Sequence, residues 1–414
     1  MVDAGMDGCR INMSHCSHEL GRELAATVRR LSAELGRPIA LGADLRGPKL
    51  RIGDVAGGTV LLAEGSSLHL TSEDRATDCH TISVDYPFLA EDVRPGDPIL
   101  LNDGAIALRV EEVRGGRVVC RVEKGGPLSS RKGINFPGVP LRVPSLTEKD
   151  LGDMAFAVEA QVDFLFVSYA RSRAHLREVR AALARLGSHL PLVAKIERQE
   201  GVEALAEIVE EADGVCVARG DLGIETPLGS VPEIQREAVR LCRREGKFVM
   251  LGGQLLSTMV GSPIPLRAEV SDVATSARDG FDALVLSDET AVGSYPVETV
   301  RAAAQVIARA ESVLQAEGGL LPGPPPSAGA LGPVAVASPD GRAAMALSAS
   351  RAAWPIVALV EQPHAAHWLS TWWGVVPILV EDCSDPAAVR RALDAAAARN
   401  PSISSARLLN LYER

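Results

Sequence analysis

The segment LVAKIERQEGVEALAEIVEEADGVCVARGDLG, residues 192–223, contains the pattern that decides the fold. A short apolar run, Leu192 to Ile196, is followed by a helical stretch and then by a second apolar run, Gly214 to Ala218. Neither run alternates between apolar and polar residues, which is typical of strands that are buried on both faces. Two such strands joined through a helix form a βα unit of a parallel sheet.

The same alternation continues in both directions along the chain. Five further apolar runs are expected to form strands: Cys9 to Met13, Pro38 to Ala43, Phe164 to Ser168, Phe248 to Leu251 and Ala283 to Ser287. Helices are expected between the strands, among them Leu20 to Leu35 and Glu233 to Glu245. We therefore predict an α/β fold with a (β/α)8 TIM-type barrel. Seven strands are visible in the sequence and residues 1–7 resemble the tail of a helix, so the first barrel strand is expected to be missing.

The composition changes twice along the chain and so predicts further domains. Residues 55–138 contain valine-rich runs and paired glycines with few helical stretches, which predicts an inserted small all-β domain that splits the barrel into residues 1–54 and 139–318. The Gly- and Pro-rich residues 319–333 are predicted to be a linker. Residues 334–414, which contain all four tryptophans, are predicted to form a short C-terminal α/β domain.

The composition also excludes several classes of protein. The 414 residues include 43 Lys and Arg against 53 Asp and Glu, a net charge of −10, and no basic stripe that would suit a nucleic-acid backbone. No apolar run approaches the roughly 20 residues that a membrane helix needs, and no signal peptide is visible. The seven cysteines form no C-x-x-C pair and are expected to be reduced. We expect a soluble, cytoplasmic protein without a nucleic-acid or membrane partner.

Polar residues gather where the apolar runs end, which in a barrel is the rim that carries active sites. Arg10, Asn12 and Ser14 alternate at the end of the first run and are expected to project from one face of a strand. Lys195 and Glu197 share one side of a later strand by the same period of two.

Two turns add further charge to this rim. Asp44 is followed by Arg46, Lys49 and Arg51 around a Gly-Pro turn, and Asp221 lies in a glycine-containing segment after Ala218. Each group alone could be an ordinary charged turn. Together they predict a site for phosphate and Mg²⁺, in which two carboxylates hold the metal and cations stabilise phosphoryl charge. The sequence contains no P-loop and no protein-kinase motif set.

Several of these motifs resemble those of the pyruvate kinase family. The motifs, in family order, are Arg10-Ile-Asn-Met-Ser-His15, Asp44-Leu-Arg-Gly-Pro-Lys49, Arg131-Lys-Gly-Ile-Asn135, Lys195-Ile-Glu197, Ala218-Arg-Gly-Asp-Leu-Gly223 and Arg267-Ala-Glu-Val-Ser-Asp-Val-Ala274. The resemblance implies a barrel with a lid-like β domain and a C-terminal α/β domain. It also implies phosphoryl transfer from phosphoenolpyruvate to ADP, giving pyruvate and ATP, with Mg²⁺ or Mn²⁺ as cofactor and a homotetrameric assembly in the cytoplasm.

The resemblance assigns roles to individual residues. Lys195 is the implied catalytic residue, which stabilises the phosphoryl group and the enolate, and Glu197 and Asp221 are the implied metal ligands. The implied substrate-binding residues are Arg10, Lys195, Gly220, Asp221 and Gly253. The implied nucleotide-binding residues are Asn12, His15, Arg51 and, from the lid domain, Lys132.

The resemblance also bears on the need for a monovalent cation. The family's K⁺ positions match Asn12, Ser14, Asp44 and the carbonyl of Leu45, and these are expected to be empty here. Family members with lysine at the position of Lys49 do not need K⁺, because a tethered ammonium replaces the ion. We therefore expect a K⁺-independent protein with Lys49 as an internal cation.

Two departures from the family keep other functions open. Gly253 stands where the family has a threonine near the substrate carboxylate and the proton-delivery route, and the first barrel strand has no counterpart. The chain is therefore either a pyruvate kinase or a catalytically impaired relative that binds ligands or regulates. A weaker alternative is a Mg²⁺-dependent barrel lyase acting on pyruvate or phosphoenolpyruvate, which would not need Lys132.

Overall fold

The computed structural model describes residues 1–316, 334–351, 355–399 and 407–409. Its strands are β1 (Gly8–Asn12), β2 (Ala40–Asp44), β3 (Thr59–Leu62), β4 (Ser67–Thr71), β5 (Thr81–Ser83), β6 (Pro98–Leu101), β7 (Ile106–Arg114), β8 (Arg117–Lys124), β9 (Gly126–Ser129), β10 (Ile134–Asn135), β11 (Phe164–Val167), β12 (Leu192–Ile196), β13 (Gly214–Ala218), β14 (Phe248–Gly252), β15 (Ala283–Val285), β16 (Val334–Ala337), β17 (Ile356–Val360), β18 (Val375–Leu379) and β19 (Arg407–Leu409). Its α-helices are α1 (His18–Leu35), α2 (Leu89–Asp92), α3 (Glu148–Glu159), α4 (Arg173–Arg185), α5 (Gln199–Glu203), α6 (Leu205–Glu211), α7 (Arg219–Glu225), α8 (Val231–Arg244), α9 (Arg267–Asp279), α10 (Asp288–Ala291), α11 (Pro296–Ala316), α12 (Arg342–Ser350), α13 (Pro363–Leu369) and α14 (Pro386–Arg399).

A parallel sheet of seven strands forms the largest unit. Its strand order is β1-β2-β11-β12-β13-β14-β15, and every neighbouring pair is parallel. The predicted strands are confirmed, each to within two residues at either end. Within the described residues no pairing joins β15 to β1, so the sheet is curled as in a TIM-type barrel but open between these two strands. The predicted α/β fold class is therefore confirmed.

The two faces of this sheet pack against different parts of the chain. Side chains on the convex face, such as Leu165 and Val215, belong to one core with the helices that connect the strands. Side chains on the concave face, such as Phe166 and Cys216, share a second core with the C-terminal α/β unit. Because successive residues of a strand point to opposite faces, strands with two buried faces need continuous apolar runs, which is the pattern that the sequence shows.

The C-terminal unit covers the concave face at the amino ends of the strands. Its four strands are parallel in the order β18-β17-β16-β19. The Trp368 ring lies 4.8 Å from the Phe164 ring and 4.9 Å from the Phe248 ring, centroid to centroid. An ion pair of 2.8 Å joins Arg351 to Asp282, and both side chains are buried. The linker predicted at residues 319–333, like Trp354, lies outside the described residues.

Strands β3 to β10 lie between β2 and β11 in the sequence and build the insert. Six of them form a sheet in the order β10-β6-β7-β8-β4-β5, and β3 pairs with β9. Two segments connect the insert to the barrel, and they are hydrogen-bonded to each other. The amide of Ile52 donates to the carbonyl of Lys132 at 3.0 Å, and the amide of Ile134 donates to the carbonyl of Leu50 at 3.2 Å.

Two further expectations concern cysteines and membrane helices. All seven cysteines are free in the structure. In the part of the chain that the structure describes, no helix is both long and apolar enough to cross a bilayer.

Candidate active site

The site is centred on Lys195, near the carboxyl end of β12. Its ammonium lies 2.9 Å from Glu197 Oε1 and 3.3 Å from both carboxylate oxygens of Asp44. The same ammonium donates a hydrogen bond of 2.9 Å to Ser168 Oγ. Arg10 Nε donates to Asp44 Oδ2 at 2.7 Å. The ends of β1, β2, β11 and β12 therefore bring two cations and two carboxylates into one cluster, as expected for the carboxyl ends of neighbouring parallel strands.

Burial and charge oppose each other in this cluster. Burial lowers the pKa of Lys195, but the carboxylates of Asp44 and Glu197 raise it by more than burial lowers it. The pKa therefore lies above its usual value, and the ammonium stays charged at neutral pH. Burial would raise the pKa of Asp44, and here Lys195 and Arg10 outweigh it, so this pKa lies below its usual value. The pKa of Glu197 is raised by burial, and Lys195 opposes this while Asp221 adds to it.

The pKa of Glu197 is raised mainly by its burial, and the negative charge of Asp221 raises it further. Asp221 lies in the first turn of α7, directly after β13. Its carboxylate accepts a hydrogen bond of 3.3 Å from Lys49 Nζ. Glu197 Oε2 accepts a hydrogen bond of 2.8 Å from the amide of Tyr169. Two carboxylates at the ends of neighbouring strands are a donor set that suits a hard divalent cation.

The described residues alone do not supply a complete coordination shell. Within the described residues, no group of three or more His, Cys, Asp or Glu side chains is placed to hold a metal ion. Mg²⁺ commonly binds through one or two carboxylates together with water and phosphate oxygens. The pair Glu197 and Asp221 fits that mode of binding.

The expected monovalent-cation positions are only partly brought together. Strand β1 ends at Asn12, and the amide of Ser14 donates to Asn12 Oδ1 at 3.0 Å. The expectation that Ser14 continues the strand is therefore wrong, because an asparagine side chain that caps its own turn ends the extended run. Lys49 contacts Asp221, whereas Asp44 is neutralised by Arg10 and Lys195. Leu45 is buried, and its amide donates to the carbonyl of Phe166.

The expected nucleotide-binding residues lie on two sides of the site. Asn12 is the last residue of β1 and the exposed His15 lies in the turn after it, whereas Arg51 and Lys132 lie in the two segments that connect the insert. Arg51 Nη1 donates to the carbonyl of Arg131 at 2.9 Å. Among the described residues no hydrogen bond joins Arg51 or Lys132 to Asn12 or His15, so the two groups are not directly connected.

Gly253 and Gly220 contact each other where β14 and β13 end. Gly253 has φ +98°, and a Cβ atom at this position would lie 2.9 Å from the amide nitrogen of Gly220. Arg219 holds this arrangement, since its Nε donates to the carbonyl of Gly253 at 3.0 Å and its Nη2 pairs with Asp272 at 2.7 Å. With this backbone, position 253 requires glycine.

Sequence reasoning missed two residues of the site. Ser168 Oγ bonds both Lys195 and, at 3.2 Å, Asp44. Tyr169 has φ +54° and presents its amide to Glu197. Ser168 is the last residue of a predicted strand and so lies at the barrel rim. A serine at the end of a strand is usually only a solvated residue, so its position alone does not indicate a functional role. A non-glycine residue with positive φ leaves no mark in the sequence.

Comparison with known proteins gives matches over most of the chain. The family model described as "Pyruvate kinase, barrel domain" matches residues 1–300, and the model "Pyruvate kinase, alpha/beta domain" matches residues 330–406. A pyruvate kinase of Mycobacterium tuberculosis is 41% identical over 311 residues, which cover 75% of this chain and 66% of that protein. A pyruvate kinase of Geobacillus stearothermophilus is 41% identical over 318 residues, 76% of this chain and 54% of that protein. A pyruvate kinase of Methylorubrum extorquens is 37% identical over 405 residues, 93% of this chain and 84% of that protein. The chain thus spans somewhat less than two thirds of the mycobacterial relative's length.

Proposed function

Because the chain belongs to the pyruvate kinase family, we propose that it transfers the phosphoryl group of phosphoenolpyruvate to ADP, giving pyruvate and ATP. The observation that carries this proposal is the buried, charged ammonium of Lys195 beside the carboxylate of Glu197, with Asp221 at the end of the neighbouring strand. Asp44 and Glu197 keep this ammonium charged and hold it at the end of the strand, where it can stabilise a phosphoryl group.

Each charged group has a defined task in this reaction. Glu197 and Asp221 would hold Mg²⁺ or Mn²⁺, which when bound neutralises charge on the phosphoryl group. Lys195 stabilises the negative charge that grows on the phosphoryl and enolate oxygens as the bond to phosphorus breaks. Its contacts to Asp44 and Ser168 hold the ammonium in place before substrate arrives.

The remaining residues bind and orient the two substrates. Arg10 and the backbone of Gly220 contact phosphoenolpyruvate, beside Gly253. Asn12, His15, Arg51 and Lys132 contact the nucleotide from the β1 side and from the insert. Closure of the insert over the strand ends would exclude water, which otherwise competes with ADP for the phosphoryl group.

The finer properties are proposed together. Lys49 supplies a fixed positive charge in place of K⁺, and the support is its contact with Asp221. The protein acts as a cytoplasmic homo-oligomer, a homotetramer by family resemblance, without a nucleic-acid or membrane partner. Gly253 supports the second candidate, an impaired relative that binds these ligands with slow turnover, since glycine offers no hydroxyl for substrate binding or proton delivery. No contact in the site favours the lyase alternative.

The test is the formation of pyruvate from phosphoenolpyruvate and ADP, followed in a coupled assay. Lys195→Met should lower kcat by about 10²–10³-fold and change phosphoenolpyruvate binding far less, because the ammonium acts on charge that develops in the transition state. Lys124→Met, at an exposed lysine of the insert, is the matched control and should leave both unchanged. Unchanged turnover in Lys195→Met, or equal losses of turnover and binding, would contradict the assignment. A wild-type chain that binds phosphoenolpyruvate without turnover would favour the impaired relative.

A further inference from the structure

Asn135 and Glu225 form a buried contact that the reaction above does not use. Asn135 Nδ2 donates a hydrogen bond of 2.8 Å to Glu225 Oε1. Asn135 is 7% exposed and Glu225 5%. Asn135 ends β10 in the insert and Glu225 ends α7 of the barrel, so the hydrogen bond joins two parts of the fold that are 90 residues apart.

The contact lies where the insert joins the barrel. Asn135 directly follows the paired connecting segments and is three residues from Lys132, the proposed nucleotide ligand. Glu225 lies one helical turn after Asp221, on the same side of α7. The hydrogen bond therefore ties the segment that carries Lys132 to the helix that carries the proposed metal ligand.

The other polar group next to Glu225, Arg198, belongs to the barrel, so the hydrogen bond from Asn135 links Glu225 to the insert. A cavity of about 20 Å³ lies beside it, lined in part by Lys49, Tyr169 and Arg198. Glu225 Oε2 forms an ion pair of 3.7 Å with Arg198 Nε, which also lies 3.1 Å from Glu200 Oε2, and among the described residues neither of the first two atoms has a hydrogen-bond partner. A cavity of this size can hold one water molecule between them. Arg198 compensates the charge of Glu225 from within the barrel, and Asn135 supplies the hydrogen bond to its other oxygen from the insert.

We propose that Asn135 and Glu225 are positioning residues, which fix the position of the insert relative to α7, the helix that carries Asp221. The inference rests on the proposed function, because it assumes that Lys132 and Asp221 approach one phosphoryl group from two sides. Loss of the hydrogen bond lets the two sides shift relative to each other. A shift of about 1 Å at a reacting centre can cost about 10²-fold in rate.

Three variants test the hydrogen bond, and the double variant exchanges its donor and acceptor. Asn135→Asp sets two carboxylates against each other and should lower kcat at least about tenfold, with a smaller change in the KM for phosphoenolpyruvate. Glu225→Gln keeps an acceptor for Asn135 and should stay within about twofold of the wild type. The double variant Asn135→Asp/Glu225→Gln restores the contact with the glutamine amide as donor, and kcat should recover to within about threefold. Failure of the double variant to recover any activity lost by Asn135→Asp would overturn the proposal.

Amide hydrogen exchange of the ligand-free chain gives a readout that does not need activity. Asn135→Ala, which buries no new charge and also serves if Asn135→Asp does not fold, should speed exchange in residues 132–136 and 219–226 together. Glu64→Gln, at an exposed position of the insert, should change neither segment. Faster exchange confined to 132–136 would make Asn135 a local packing residue and refute the link. If the wild type shows no pyruvate formation but both segments respond to Asn135→Ala, the proposed function fails and the positioning role stands.

Discussion

Replacement of Gly253 tests whether the backbone at this position requires glycine and so excludes the threonine of the family. Gly253 has φ +98°, and a Cβ atom there would lie 2.9 Å from the Gly220 nitrogen and 3.3 Å from the Arg219 nitrogen. Both neighbours are backbone atoms at the start of α7 and cannot move as a flexible side chain would. The neighbouring Gly252 is the matched control, because its Cβ would lie 3.6 Å from Val285 Cβ and 3.7 Å from Cys216 Sγ, which are ordinary contacts.

The magnitude follows from two costs. A non-glycine residue at a strained positive φ costs about 1–3 kcal/mol, and an atom forced into a packed site costs about 1–3 kcal/mol. Gly253→Ala should therefore lower the free energy of unfolding by about 2–4 kcal/mol, since the two costs overlap in part when the backbone relaxes. Gly252→Ala should raise it by about 0.4–1 kcal/mol, because alanine reduces the entropy of the unfolded chain and fits the native backbone.

The assay is urea unfolding followed by circular dichroism, together with pyruvate formation for each variant. Gly253→Thr, which introduces the family residue, should be at least as unstable as Gly253→Ala, because a β-branched side chain tolerates positive φ less well. It should also fail to raise turnover. A Gly253→Ala protein as stable as Gly252→Ala, or a Gly253→Thr protein with faster turnover than the wild type, would refute this reasoning.

Two further perturbations test the cation and the C-terminal unit. Lys49→Glu should convert K⁺-indifferent pyruvate formation into K⁺-dependent formation, because it removes the ammonium near Asp221; KCl is compared with tetramethylammonium chloride at equal ionic strength, and strong K⁺ activation of the wild type would contradict the idea. Trp368→Ala should destabilise the full chain by about 3–5 kcal/mol in urea unfolding, because it empties the contact with Phe164 and Phe248. Leu379→Ala, at a half-exposed position of the same unit, should cost no more than about 0.5 kcal/mol, and a similar small loss for Trp368→Ala would mean that the indole does not anchor the unit.

The sequence alone determined the strands of the large sheet and the centre of the site. Strands that are buried on both faces need continuous apolar runs, and few other structures tolerate such runs between helices. Lys195 and Glu197 meet because a strand repeats every two residues, which is a local rule. The same rule wrongly placed Ser14 on the strand, because the Asn12 side chain caps a turn that ends the strand.

The tertiary structure alone decided which distant groups meet. The partner of Lys49 is 172 residues away, and that of Asn135 is 90 residues away. Trp368 packs on strands that begin at Phe164 and Phe248, although no pattern around it indicates a contact with the barrel. These contacts depend on how separately folded parts dock, and docking is set by the shape and charge of whole surfaces. A local sequence pattern indicates the period of one element, and therefore does not predict which distant surface that element will contact.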